Sequence, residues 1–287
     1  MKRALLCLSS LPRHIEIGLD SLYRKVLKHV DLPIEIDVVA HFPEKPHPTA
    51  IDLIKTIADH HELCIESDPE LDDPEAYSEN LMDNQQMKGN LLQWLSMKRC
   101  AEMKEAFEVK YGEYDLVIWS RPDLYFLQDF ELITETKGIG FSYMDGHNGV
   151  NDRFCYGDSK SMSERMKIYD YFADEWYDCY HQDRSHLKKK RLGWFNHVYR
   201  WNPEMVLSDL LLDRQIPFRK EKLVFGKIRK HSPCPVCRKE TCYFVSVPQS
   251  DSKRIHPDLK GLGFKFGMSA PVEVNNERTL LYHIHEI

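Results

Sequence analysis

No stretch of the 287-residue chain approaches the roughly 20 consecutive apolar residues of a membrane helix, so no membrane span is expected and only peripheral association stays open. A dominant charge is missing too. Lys and Arg number 39 against 45 Asp and Glu, a formal net charge of −6, which argues against a general polyanion binder. No nucleic-acid-binding motif, internal repeat or low-complexity segment is present. Lys2 and Arg3 precede an apolar run, but residues 4–8 are too few for a secretory leader. Arg13 and His14 follow with no small-residue cleavage site, so no leader is expected. Five of the eight cysteines (Cys7, Cys64, Cys100, Cys155 and Cys179) are scattered singly and read as reduced core residues, which predicts a cytoplasmic protein.

What is present alternates between strand and helix patterns. Residues 4–8 read as a short buried strand, ended by Ser9, Ser10 and Pro12. Ile15, Leu19, Leu22, Val26, Leu27 and Val30 make the stripe of an amphipathic helix over 14–30. A strand at 34–42, a proline-bearing loop at 43–48, a helix near 50–60 and a strand at 63–66 follow. That order predicts a parallel sheet with right-handed crossovers. Residues 67–80 are acidic and proline-bearing, hence an exposed loop, and the longest helical pattern runs over 84–110. Strands are expected at 139–144 and 150–157, joined by turn residues 145–148, and a helix at 160–180. A helix at 203–214 has Asn202 as its N-cap and Pro203 at its first position. Strands over 216–225 and 280–287 close the chain. The expectation is a single α/β domain with a mixed, mostly parallel central sheet flanked by helices.

The stretch around which the chain is organised is YDLVIWSRPDLYF, residues 114–126. Residues 116–119 are apolar without alternation, as in a strand buried on both faces. The run then breaks at Ser120, Arg121, Pro122 and Asp123. In open α/β sheets, strands deliver site residues at their carboxyl ends. The plainer alternative is an Arg and an Asp that merely pair with each other.

Several segments in order resemble one family pattern. They are the first strand ending in serines, the second ending at His41-Phe42, the helix with GNLLQWLSMKRCAEM (89–103), and YDLVIWSRPDLYF. VNDRFCYGDSKSM (150–162) and NPEMVLSDLLLDRQIPF (202–218) follow. The set resembles the GT-A-type nucleotide-sugar glycosyltransferases of capsular, lipopolysaccharide and viral glycan synthesis. The resemblance implies a Rossmann-like GT-A fold, with a donor-binding half at 1–126 and an acceptor-binding half at 127–287. It implies transfer of a sugar from a UDP- or GDP-type nucleotide-sugar to a glycan hydroxyl. Ser9, Ser10 and Arg13 would approach the nucleotide with His41 nearby, and Gln93, Lys98 and Arg99 match positions that face the donor. A solvated Lys–Arg pair is the alternative for the last two.

In that family the strand before Asp123 ends in a D-x-D motif whose carboxylate binds a divalent metal. This chain has S-R-P-D, which keeps Asp123 but sets Arg121 where no acid stands. A metal or an arginine fork can each neutralise a departing diphosphate. If a metal is used, oxygen ligands suit Mg²⁺ or Mn²⁺, with Asp123 and late histidines His283 or His285 as candidate ligands. Inverting transfer needs a general base, for which Asp152 is the first candidate, Glu204 the second and Asp145 the third. Asp152 could instead pair with Arg153, and Glu204 suits the first turn of a helix. Retaining transfer would need no such base.

Two late features lie outside this pattern. His231, Cys234, Cys237 and Cys242 in KHSPCPVCRKETC could hold a structural zinc across a hairpin at 231–242, with a disulfide or free thiols as alternatives. Basic runs at 187–191 and 227–230 could contact nucleic acid, which the net acidity disfavours, or attract an anionic acceptor glycan or lipid head group. The competing expectation is a non-catalytic, glycosyltransferase-like assembly protein that uses the zinc hairpin and the basic patch.

Overall fold

The computed structural model describes residues 2–30, 33–67, 69, 71, 84–134, 137–144, 149–177, 203–231, 242–248, 272–274 and 277–283. Side chains are described up to residue 228, except those of 84–86. The first half runs β1 (Lys2–Ser9), α1 (Ile15–Lys25), β2 (Ile34–Phe42), α2 (Pro48–Ile57), β3 (His61–Ile65), α3 (Asn84–Tyr111) and β4 (Leu116–Ser120). Then come β5 (Leu124–Phe126), β6 (Ile139–Ser142), β7 (Phe154–Gly157), α4 (Ser159–Met166), α5 (Ile168–Tyr171) and a helical continuation, Phe172–Trp176. α6 (Pro203–Asp213), β8 (Phe218–Glu221), β9 (Phe225–His231), β10 (Cys242–Pro248), β11 (Val272–Val274) and β12 (Glu277–His283) complete it.

Seven strands form the central sheet in the order β3-β2-β1-β4-β7-β6-β8. β3, β2, β1 and β4 are parallel, as the strand–helix alternation predicts, and β7 joins β4 antiparallel. The chain winds from β1 outward to β3 and then returns to lay β4 on the other side of β1. The carboxyl ends of β1 and β4 therefore flank the reversal point, where open α/β sheets build their sites. A second, antiparallel sheet runs β11-β12-β10-β9-β5.

The run without alternation in 116–119 has its physical reason in two cores. Val117 and Trp119 pack with α3, α4 and α6 on one face, and Leu116 and Ile118 with α1 and α2 on the other. β1 divides likewise, Leu5 and Cys7 against Ala4, Leu6 and Leu8. Cys7, Cys100 and Cys155 are buried and unbridged, in keeping with reduced core residues, and Cys64 is unbridged and half-buried. Among the described residues no helix is long and apolar enough to cross a membrane.

Three of the differences from expectation lie around the central strands. Residues 114–126 are two strands in different sheets, because Pro122 has no N–H to continue a ladder and the chain turns there. The 216–225 segment likewise divides between β8 and the start of β9. β7 begins only at Phe154, since the Asn151 side chain caps the approach by accepting the N–H groups of Arg153 and Phe154. Asp152 thus lies ahead of the strand rather than on it.

At the amino end of the sheet, buried Asp37 accepts from Arg3 Nη2 (2.7 Å), Tyr114 Oη (2.6 Å), His60 Nδ1 (2.9 Å) and the His60 N–H (3.0 Å). Burial alone would raise its pKa. The hydrogen bonds from Tyr114, Arg3 and His60 outweigh burial and hold the carboxyl below its ordinary value. A depressed carboxylate stabilises the fold above the unfolded-chain pKa of about 4, and that contribution is lost as pH falls through the folded value. Asp37→Asn should therefore lower unfolding free energy by about 2–4 kcal/mol at neutral pH. Urea denaturation at neutral and acid pH should show the gap between wild type and variant closing in acid.

Candidate functional site

Ser120 ends β4 and the next three residues turn. The Arg121 guanidinium grips Asp123 with two parallel bonds, Nε to Oδ1 (2.9 Å) and Nη2 to Oδ2 (2.8 Å). Its third contact, Nη1 to Gln93 Oε1 (3.2 Å), ties the turn to α3. Burial opposes the guanidinium's charge, yet Asp123, with Asp152 and Glu204, holds its pKa above the ordinary arginine value. The Arg121 N–H donates to the Arg153 carbonyl (3.0 Å), which fixes the segment carrying Asp152 beside the turn.

Asp152, Arg153 and Glu204 are all buried. Asp152 and Arg153 form a loose ion pair at 3.9 Å, and the Oδ1 of Asp152 has no hydrogen-bond partner. Gln93 Nε2 is also buried without one. Glu204 is held from behind, since its carbonyl accepts the Val150 N–H (3.4 Å) and a Cβ on Gly149 would lie 2.0 Å from that oxygen. Gln93, Arg121, Asp123, Asp152 and Glu204 are thus brought together at the carboxyl end of β4. Asp145 lies outside the described residues.

The remaining donor-side candidates form a neighbouring network. Ser9 Oγ, at the end of β1, accepts from Trp119 Nε1 (2.9 Å), and the Ser10 N–H donates to Ser96 Oγ (3.2 Å) from a strained positive φ of 103°. Ser96 Oγ lies 2.8 Å from His41 Nδ1, and His41 Nε2 lies 3.0 Å from Glu66 Oε2. Burial lowers the His41 pKa, while the hydrogen bond from His41 depresses that of Glu66. A neutral His41 therefore donates from Nε2 to an ionised Glu66, while the Ser96 hydroxyl donates to the His41 carbonyl (3.0 Å). The order serine, histidine, glutamate resembles a nucleophilic triad. Ser96 and His41, at 3% and 1% exposure, are sealed against a substrate, so the network braces the ends of β1 and β2.

Arg99 is paired with Glu66 (3.3 Å) and Glu102 (3.1 Å), and Lys98 with Asp170 (2.6 Å), so both are held in ion pairs. Arg13 is exposed. Both Asp123 oxygens are occupied by Arg121, and among the described residues no three His, Cys, Asp or Glu side chains converge as a metal site. The described residues thus do not fit a metal at Asp123. His283 is described only as a strand position opposite Phe244, and His285 lies outside the described residues.

Lys227, expected in a basic run that could attract an anionic acceptor, lies half-buried on β9, opposite Leu124 of β5. Strand periodicity was the available signal, since Lys227 shares a face with buried Phe225 two residues before it. Glu66 and Ser96 carry no sequence signal, for their partners are distant in the chain.

α1 presses on the site turn, with Gly18 at the contact. A Cβ there would lie 2.1 Å from the Pro122 carbonyl oxygen and 2.9 Å from that of Leu124. Gly18→Ala should therefore cost about 1–3 kcal/mol in stability, read as a lower denaturant midpoint. An unchanged midpoint would show that α1 can withdraw from the turn.

Compared with protein-family models and with the curated proteins, the chain matches no family and no curated protein.

Proposed function

We propose that the chain is a glycosyltransferase that moves a sugar from a nucleotide-sugar to a glycan hydroxyl, with its donor diphosphate at the carboxyl end of β4. The observation that carries this reading is the Arg121–Asp123–Gln93 assembly beside Asp152 and Glu204, built where the winding of the sheet reverses. Arg121 supplies the positive charge for the leaving group, and Asp123 aims its guanidinium. The acceptor oxygen attacks the anomeric carbon as the bond to the diphosphate oxygen breaks. Its proton passes to Asp152, whose Oδ1 is without a hydrogen-bond partner, and the electron pair leaves on the diphosphate. Glu204 is the alternative base. This assignment gives inversion at the anomeric carbon.

Thermal unfolding with UDP-, GDP-, CMP- and dTDP-sugars, with and without Mn²⁺, should show stabilisation by one nucleotide class in the absence of metal. No shift with any donor would favour the non-catalytic assembly reading. With the active donor, Asp123→Ala should abolish transfer, and Asp152→Asn should reduce kcat by about 10²–10⁴-fold. Near-wild-type turnover in both would remove these residues from the reaction.

A structural zinc in the late hairpin is a separate proposal. β9 and β10 pair so that His231 and Cys242 are directly opposite, the register that closes the 232–241 connection. Cys234 and Cys237, in that connection, lie outside the described residues and enter on sequence alone. The C-P-x-C spacing with a third cysteine and a histidine suits tetrahedral zinc. Elemental analysis of the purified chain should find one zinc per molecule, lost in a Cys234→Ser/Cys237→Ser variant. A substoichiometric metal content in the wild type would leave free thiols or a disulfide.

A further inference from the structure

β9 runs directly beside the β4–β5 turn. Lys227 is paired with Leu124 in the β5–β9 ladder, and the Ile228 N–H donates to the Asp123 carbonyl (2.9 Å). Arg121 and Asp123 from the turn, and Asp152 and Arg153 from the segment ahead of β7, all act on the Lys227 charge. The nearby acids face other cations, Asp123 to Arg121 (2.8 Å) and Asp152 to Arg153 (3.9 Å). Among the described residues no carboxylate lies within ion-pair distance of the Lys227 ammonium, although the residue is partly buried.

A cation in that position works against folding. Burial disfavours its charge, and Arg153 and Arg121 add repulsion, which together bring its pKa down to about 7. A methionine would span much the same length without either cost. Residues that are costly to the fold and crowded by charge mark sites where the counter-charge comes from a ligand.

We propose that Lys227 binds a diphosphate group, acting with Arg121 and Arg153 as the third cation of one anion site. Under the donor reading above, on which its biological meaning rests, that group is the diphosphate of the nucleotide-sugar. Three cations approach it from three chain segments, the β4–β5 turn, the loop ahead of β7 and β9. The charge that develops on the departing oxygen is thus met without a metal.

The test compares wild type with Lys227→Met and Lys227→Arg in two measurements, thermal unfolding and calorimetric binding of UDP, GDP and inorganic pyrophosphate. Lys227→Met should raise the melting temperature by about 2–4 °C while weakening pyrophosphate and nucleoside diphosphate binding at least about tenfold. Lys227→Arg should retain most of the binding. A structural lysine would behave oppositely, so a lowered melting temperature in Lys227→Met overturns the inference, as does unchanged binding. Wild-type binding of pyrophosphate without any preference for a nucleoside diphosphate would support the anion site while overturning the nucleotide-sugar reading. No wild-type binding of any of the three probes would overturn both.

Discussion

The fork between Arg121 and Asp123 is the contact on which the rest of the site depends. β4 is buried on both faces, so that strand can carry charge only beyond its ends. Two parallel hydrogen bonds make the pair planar and rigid, and Gln93 fixes its rotation from α3. An isolated buried ion would be expensive, and a bidentate pair with a third polar contact is the arrangement that tolerates burial. Asp152 and Glu204 then take positions around a charge that is already fixed.

α3 serves both halves of this arrangement. Its buried face contributes Gln93 to the fork and Ser96 to the His41–Glu66 network three residues later, one turn apart on the same face. Its carboxyl-terminal third is anchored by Lys104, which is fully buried yet bonded to Glu108 (2.7 Å) and Ser163 (2.8 Å). Arg165 is held differently, with its guanidinium 4.1 Å over the Trp119 ring and burial lowering its pKa. The protein thus keeps several charges inside by giving each a flat or forked partner.

Much of the fold was legible because it rests on local patterns. The apolar run of 116–119 suits a strand covered on both sides, and the strand–helix order points to the parallel half of the sheet. What was not legible depended on where strands change sheets. Residues 114–126 read as one strand with an interruption, since nothing local says that Leu124 will pair with Lys227 on β9. For the site, Arg121, Asp123, Asp152 and Glu204 were visible as chemistry at strand and helix ends and Gln93 on the long helix, and the structure brings them together. His41, Lys98 and Arg99 looked equivalent to them by position, but their partners Glu66, Asp170 and Glu66 again lie 25, 72 and 33 residues away. Contacts of that range leave no trace in spacing.

The chain passes between the two sheets at residues 121–123, again between β5 and β6, and again at 222–224, and the Leu127 N–H to Val224 carbonyl bond (3.0 Å) joins the last two crossings. The fork is therefore also a covalent joint. Rotation of the antiparallel sheet against the central one would turn the backbone of Arg121, Pro122 and Asp123, and with it the fork.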